Sequence, residues 1–288
     1  MKKVVVIVGP TTSGKTSLSI ELAERFDFEI INGDSVQVYK ELTIGSAKIT
    51  PNEMNGIKHH LLDFRSINEK YTVFDFQTDA REILDSNNTK LMVGGTGLYI
   101  KAALYNYEFD KKTNNETEVY DVMSTEELYN KLLKLDPSIT IDMFNRRRVL
   151  RALMLAENGN LRSNKISKDM LLYDALVIYL DLNKEELSKR LVARLEKQLS
   201  SGFIEEVKSL REGNIFVNAI GYKEIYDYLD GKMTLDETKE RIIISSRQLA
   251  KKQKTFFKNQ MNPHFVDALD PNLVEVTSKM INDFLEDK

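Results

Sequence analysis

The chain has 288 residues, 42% of them hydrophobic and 30% charged, which is ordinary for a globular protein of one large domain or two. A net charge of −3 gives no bulk attraction to nucleic acid. With no Cys and three His (His59, His60, His264), disulfides and Cys nucleophiles are excluded and a His-rich metal centre is not expected.

The chain opens with Met1-Lys2-Lys3 and then the apolar run Val4 to Val8, leaving no room for a signal peptide, and no run approaches a membrane span. A cytoplasmic chain without membrane association is therefore the expectation. The run leads into Gly9-Pro10-Thr11-Thr12-Ser13-Gly14-Lys15-Thr16, followed by a helical pattern at Leu18, Ile20, Leu22, Ala23 and Phe26. Strand, glycine-bounded loop and helix are the context in which this spacing means a phosphate-binding P-loop. The loop N–H groups and the helix dipole converge on an anion, Lys15 adds charge, and the Thr16 hydroxyl can join the coordination of a Mg²⁺.

Phe28 to Asn32 reads as a second strand ending in Gly33-Asp34-Ser35. At the carboxyl end of a parallel strand, Asp34 is placed either to accept a substrate proton or to cap the next turn. Residues 36–70 read as loop-rich, and Val73 to Asp85 as a helix broken by Asn87-Asn88. Lys90 to Val93 reads as a buried strand ending in Gly94-Gly95-Thr96-Gly97, where Thr96 offers a hydroxyl to a ligand or an N-cap to the helix Leu98–Leu104. Three strand–loop–helix units predict an α/β, P-loop NTPase-like parallel sheet with helices on both faces.

Residues 108–142 hold nine acidic and four basic residues, and residues 145–168 then turn basic with Arg146, Arg147, Arg148, Arg151, Arg162, Lys165 and Lys168. This region reads as a small helical insertion subdomain, 108–171, within a core of 1–107 and 172–288. The sheet resumes at Ala175 to Leu180. Asp181 resembles a Walker B acid only weakly, because a buried strand entering a helix looks the same. Arg190 and Arg194 share a helix face and can reach a diphosphate, or pair with Glu185, Glu186 and Glu196 as a solvated surface. After helices over Lys184–Leu199, Ile204–Arg211 and from Gly221 to Gly231, the run Leu235–Asn259 carries a second basic face, including Arg247, Lys251, Lys252, Lys254 and Lys258. Two basic clusters on an acidic chain suit nucleic-acid phosphates, although charge runs are usually solvated faces. A strand at His264–Val266 and a helix from Pro271 end the chain.

Taken together, the segments Gly9–Thr16, Gly33–Tyr39 (Gly-Asp-Ser-Val-Gln-Val-Tyr) and Gly94–Tyr99 resemble the tRNA dimethylallyltransferases. Gly45–Lys48, His59–Asp63, Ile220–Glu224 and Arg247–Lys251 also resemble that family's signatures, nearly end to end and in order. The resemblance implies transfer of the dimethylallyl group from dimethylallyl diphosphate to the exocyclic amine of the adenosine just 3′ of the anticodon, with release of diphosphate. It further implies that Asp34 and Thr96 are catalytic. Gly9, Thr11, Thr12, Ser13, Gly14, Lys15, Thr16, Arg190, Arg194 and Lys223 would bind the diphosphate, with Mg²⁺ at Thr16. Contact with the anticodon stem-loop would fall to Asp34, Ser35, Val36, Gln37, Thr96, Arg147, Arg148, Arg151, Arg247 and Lys251, in a monomer. The chain departs from the family at Lys252 and Lys223, where Arg is usual or occurs, and at Phe256, where Trp is usual. A small-molecule kinase, an isopentenyltransferase for free adenine nucleotides and a non-enzymatic nucleotide-binding module are the alternatives.

Overall fold

The computed structural model describes residues 1–86, 89–109, 118–164 and 170–287. The Asn87-Asn88 break, Lys165 and Lys168 lie outside the described residues. The chain divides into two compact units, Met1–Leu104 with Leu171–Lys288, and Tyr105–Met170.

The larger unit is built on a parallel sheet of β1 (Lys3–Val8), β2 (Glu29–Asn32), β3 (His59–His60), β4 (Lys90–Gly94), β5 (Asp174–Asp181) and β6 (His264–Asp267), in spatial order β3-β2-β4-β1-β5-β6. β1 is paired on one side with β4 and on the other with β5, so its carboxyl end opens at the middle of the sheet. Because every strand is parallel, the segments after Val8, Asn32, Gly94 and Asp181 emerge at one edge, where α/β folds bind ligands. β3 falls inside the stretch read as loop. Two residues are too few to show alternation, and what holds the strand is its pairing to Ile30 and Ile31.

The helices are α1 (Lys15–Phe26), α2 (Val73–Leu84), α3 (Gly97–Leu104), α4 (Glu118–Asp121), α5 (Thr125–Leu135), α6 (Arg146–Glu157), α7 (Lys184–Ser200), α8 (Phe203–Glu212), α9 (Tyr222–Leu229), α10 (Leu235–Met261) and α11 (Leu273–Glu286). Thr72 with Asp75, Ser124 with Glu127 and Thr234 with Glu237 form capping boxes that start α2, α5 and α10.

Strand residues alternate between two cores, as the period of a strand requires. Val5, Ile7, Ile30, Leu91 and Ile178 pack with Leu18 and Leu22 of α1 and Ile281 of α11. Val4, Val6, Val8 and Met92 are buried as well, and on that alternate set Tyr179 meets Phe257 of α10. A further core joins α7 to α10 through Leu191, Leu195, Phe203, Val207, Tyr222, Ile242 and Ile243. Among the described residues, no helix is long and apolar enough to cross a membrane.

The smaller unit has its own core, in which Leu128 and Leu132 of α5 meet Val149, Ala152, Leu153 and Ala156 of α6.

Candidate active site

The glycine-bounded loop follows β1. Gly9 is required by a close approach: a Cβ there would lie 2.8 Å from the Leu180 carbonyl oxygen and 2.9 Å from Ser13 Oγ. Gly14 has φ 87° and stands at the N-cap of α1, where side chains are disfavoured. Thr12, a β-branched residue, holds φ 67°, which marks local backbone strain. The Lys15 ammonium donates to the Gly9 and Pro10 carbonyl oxygens at 3.0 and 2.7 Å. Burial lowers its pKa to about 8; nearby Asp34 works against that shift and Arg194 adds to it.

Both arginines of α7 turn to this loop. Arg194 donates to Thr11 Oγ1 at 2.7 Å and to the Ser46 carbonyl at 3.1 Å. Burial lowers its pKa below the ordinary arginine value. Arg190 divides itself between Glu186 at 2.8 Å and the Thr12 carbonyl at 3.3 Å. The solvated-face alternative describes the acids better than the arginines, since Glu185 pairs with Lys189 and Glu196 with Lys239.

The ends of β2 and β4 are laced together. Asn32, buried, accepts from the Asp34 N–H at 3.1 Å and donates to the Leu61 carbonyl at 2.8 Å. Asp34 Oδ1 accepts from the Val36 N–H at 2.8 Å, and among the described residues no donor meets Oδ2. Thr96 does not cap its own helix. Its Oγ1 accepts from the Ser35 N–H at 3.0 Å, while the Thr96 N–H donates to the Gly33 carbonyl at 3.1 Å. A Cβ on Gly94 would stand 2.3 Å from the Gly33 backbone, so this glycine serves a backbone-to-backbone contact. Gly97 does the same for the Phe256 ring, with a Cβ placed at 2.3 Å from it.

The third wall comes from the loop 43–47 and from α7 to α10. Glu206 accepts from the N–H groups of Thr43, Ile44 and Gly45 and from the Tyr222 hydroxyl, at 2.7 to 3.1 Å. Gln37 and Gln198 hold the carbonyls of the same loop.

Together these parts enclose a cleft of about 610 Å³. Thr11 to Thr16, Asp34, Val36, Gln37 and Arg194 line it together with the apolar Leu191, Leu195, Ile220, Ile242, Ile243 and Leu249. Gly9, Ser35, Thr96 and Arg190 do not line the cleft; each is bonded to or packed against a residue of its walls. Lys223 is exposed and absent from the lining, although its neighbours Gly221 and Tyr222 belong to it. Asp181 is ion-paired with Lys254 at 2.6 Å, which accounts for that acid without a ligand.

Arg247 and Lys251 are exposed on α10, and Arg247 also lines a groove with Val192 and Ile244. Arg147, Arg148 and Arg151 are exposed on α6 of the smaller unit. Ser46 and Tyr222 fall in the signature segments Gly45–Lys48 and Ile220–Glu224 but had no role assigned, and Gln198, Glu206 and Gln253 are site residues that sequence reasoning missed. The last three act through long-range contacts, and no local pattern marks them.

A family model described as IPP transferase matches residues 37–260. A tRNA dimethylallyltransferase of Acholeplasma laidlawii is 49% identical over 285 residues, covering 99% of each chain. One of Phytoplasma australiense is 45% identical over 287 residues, again covering 99% of each. Among solved structures, the full-length tRNA isopentenylpyrophosphate transferase of Bacillus halodurans is similar with a TM-score of 0.77 at 35% identity, covering 99% of this chain and 98% of that one. A eukaryotic dimethylallyltransferase acting on tRNA gives a TM-score of 0.87 at 30% identity, covering 99% of this chain and 80% of that one.

Proposed function

This chain belongs to the tRNA dimethylallyltransferases, the IPP transferase family, and from that premise we propose that its cleft transfers a dimethylallyl group from dimethylallyl diphosphate to the N6 amine of the adenosine 3′ of the anticodon. The observation that carries this reading is the union of three surfaces in one cleft: a cationic end at Lys15 and Arg194, an apolar wall at Leu191, Leu195, Ile242 and Leu249, and the carboxylate of Asp34. A prenyl diphosphate needs the first two and an attacking amine needs the third. A phosphoryl-transferring kinase leaves the apolar wall without a use.

In the reaction the N6 nitrogen bonds to C1 of the dimethylallyl group. The C1–O bond breaks with its electron pair leaving on the diphosphate, and the amine proton passes to Asp34. Asp34 Oδ2 is the available acceptor, because Oδ1 is engaged by the Val36 N–H. Loop N–H groups, Lys15 and Arg194 meet the charge that grows on the diphosphate oxygens. An adenine amine is a weak nucleophile, so the rigid frame of Asn32, Ser35 and Thr96 matters as much as proton removal. Extracting the base from the anticodon-loop stack costs on the order of a few kcal/mol.

The donor set fits Mg²⁺. Thr16, exposed and lining the cleft, is the hydroxyl-bearing residue that would hold the ion. Among the described residues no three acidic or His side chains are grouped as metal ligands. Such a site suits an ion held chiefly by phosphate oxygens and water. When bound, the ion neutralises charge on the leaving group. A cytoplasmic monomer that engages the anticodon stem-loop through Ser35 to Gln37, Arg147, Arg148, Arg151, Arg247 and Lys251 completes the proposal.

The test incubates the protein with radiolabelled dimethylallyl diphosphate and unmodified tRNA, with AMP and ATP as competing acceptors. Label is expected in tRNA alone. Asp34→Ala should lower the rate by about 10²-fold or more while tRNA binding stays within a few-fold. Label in AMP or ATP, or turnover of ATP without labelled tRNA, overturns the reading.

A further inference from the structure

Phe144 is 84% exposed, an unusual position for a phenylalanine ring. Its backbone is nonetheless held. The Phe144 N–H donates to Asp142 Oδ1 at 3.1 Å, and the next residue, Asn145, caps α6 by accepting from the Arg148 N–H at 3.2 Å. Arg146 ties the first turn of α6 to the rest of its unit by donating to the carbonyls of Met123 and Tyr120. A ring carried on a held backbone and left in water forgoes apolar burial, which is the condition of a surface awaiting a partner.

The neighbouring chemistry identifies the partner. Arg147, Arg148 and Arg151 lie in the first turns of α6 and are all exposed, with Arg151 four residues from Arg147 and three from Arg148 so that it neighbours both, while Val149, Ala152 and Leu153 are buried. Among the described residues none of the three guanidinium groups has a hydrogen-bond or ion-pair partner. An apolar peptide or a second copy of the chain would meet uncompensated positive charge around the ring. A polyanion carrying flat aromatic groups satisfies both features: its phosphates meet the guanidinium groups and an unpaired base lies on the ring.

We propose that Phe144 is a stacking platform for an unpaired base of the RNA substrate, with Arg147, Arg148 and Arg151 holding the flanking phosphates. The assignment rests on the tRNA prenyl-transfer reading and adds to it a positioning residue outside the cleft. Phe144 acts on binding and orientation of the RNA and takes no part in the chemistry.

The test is steady-state kinetics of prenyl transfer at saturating donor with tRNA varied, for the wild type, Phe144→Ala, Phe144→Leu, Phe144→Trp and Arg147→Ala. Phe144→Ala should raise KM for tRNA by about ten-fold with kcat within a factor of about two of wild type. Phe144→Trp should restore KM and Phe144→Leu should not, because leucine replaces the apolar area without a π-face. Arg147→Ala should reduce the magnitude of the salt slope of tRNA affinity by about 0.7 to 0.9, whereas Phe144→Ala leaves it unchanged. A folding defect would lower the active fraction, and so kcat, in both Phe144→Ala and Phe144→Leu; circular dichroism of the purified variants supplies the control. Wild-type transfer with an unchanged KM in Phe144→Ala overturns this inference alone, as does full rescue by leucine, which would indicate generic apolar contact with another partner. Absence of wild-type transfer to tRNA overturns the underlying reading as well.

Discussion

A lysine at the heart of a phosphate-binding loop must stay charged to hold an anion, yet the same enclosure that makes its charge effective also penalises it. At Lys15 burial dominates, and the ammonium titrates at about 8 instead of its ordinary 10.5. The sign follows directly. Below about pH 8 the group is a cation and attracts the diphosphate, and as pH rises through that value the charge and its attraction are lost. The affinity of the ligand-free protein for dimethylallyl diphosphate, whose phosphates are fully ionised above about pH 7.5, should therefore fall as pH rises from 7.5 to 9.5. Calorimetric titration at a series of pH values checks this, and an affinity that stays flat to pH 9.5 contradicts the assignment. The residue scale also separates neighbours that look alike in sequence. Arg146 is spent on two backbone carbonyls while Arg147 and Arg148 face water. Arg194 is half-buried and bonded to the loop while Arg190 is shared with Glu186. Spacing puts Arg190 and Arg194 on one helix face; it does not say which arginine a distant carbonyl will claim.

At the scale of elements, the site depends on how tightly two strand ends are joined. Gly94 at the end of β4 leaves room for the Gly33 backbone after β2, and the obstacle to a Cβ is main chain, which has no rotamer to move. Gly94→Ala should cost about 3 kcal/mol or more through overpacking, lowering the thermal midpoint by roughly 6–12 °C. Gly56 is the control. It has φ 77° and open space where a Cβ would stand, so Gly56→Ala carries only the conformational penalty of about 1 kcal/mol. Equal midpoints in a calorimetric comparison would refute the role given to Gly94. What is legible in the sequence follows from the range of the forces. β1, the loop and α1 form a contiguous unit whose pattern is local, and the capped helices carry their own start signals. β3 is not legible, because two residues gain their strand character only from pairing with β2. The Gly94-to-Gly97 segment is legible as glycine-dependent, but its partners Gly33, Gln253 and Phe256 lie far away in sequence. The wall held by Glu206 is hidden for the same reason: one carboxylate on α8 gathers three N–H groups from a loop some 160 residues earlier.

At the scale of the whole molecule the question is how a chain of net charge −3 can bind a polyanion. Local arrangement decides it, because salt at physiological strength screens charges beyond about 8 Å. The basic run of α10 is weaker than its composition suggests, since Lys239 is paired with Glu196 and Lys254 with Asp181. Arg247 and Lys251 are among the basic residues that remain exposed on that helix, and Arg147, Arg148 and Arg151 are exposed on α6. If these five groups each neutralise one phosphate, the slope of log affinity against log salt should be near −4, so that raising salt from about 50 to 200 mM weakens tRNA binding by roughly 10²-fold. Fluorescence anisotropy of labelled tRNA against a salt series measures the slope. Reversing Arg247 alone (Arg247→Glu) should make the slope shallower by at least the contribution of one contact, about 0.7 to 0.9, while Lys254→Ala should leave it unchanged, because that ammonium is already neutralised by Asp181. A slope near zero in the wild type would mean that neither basic face meets RNA phosphates and that affinity comes from the cleft itself.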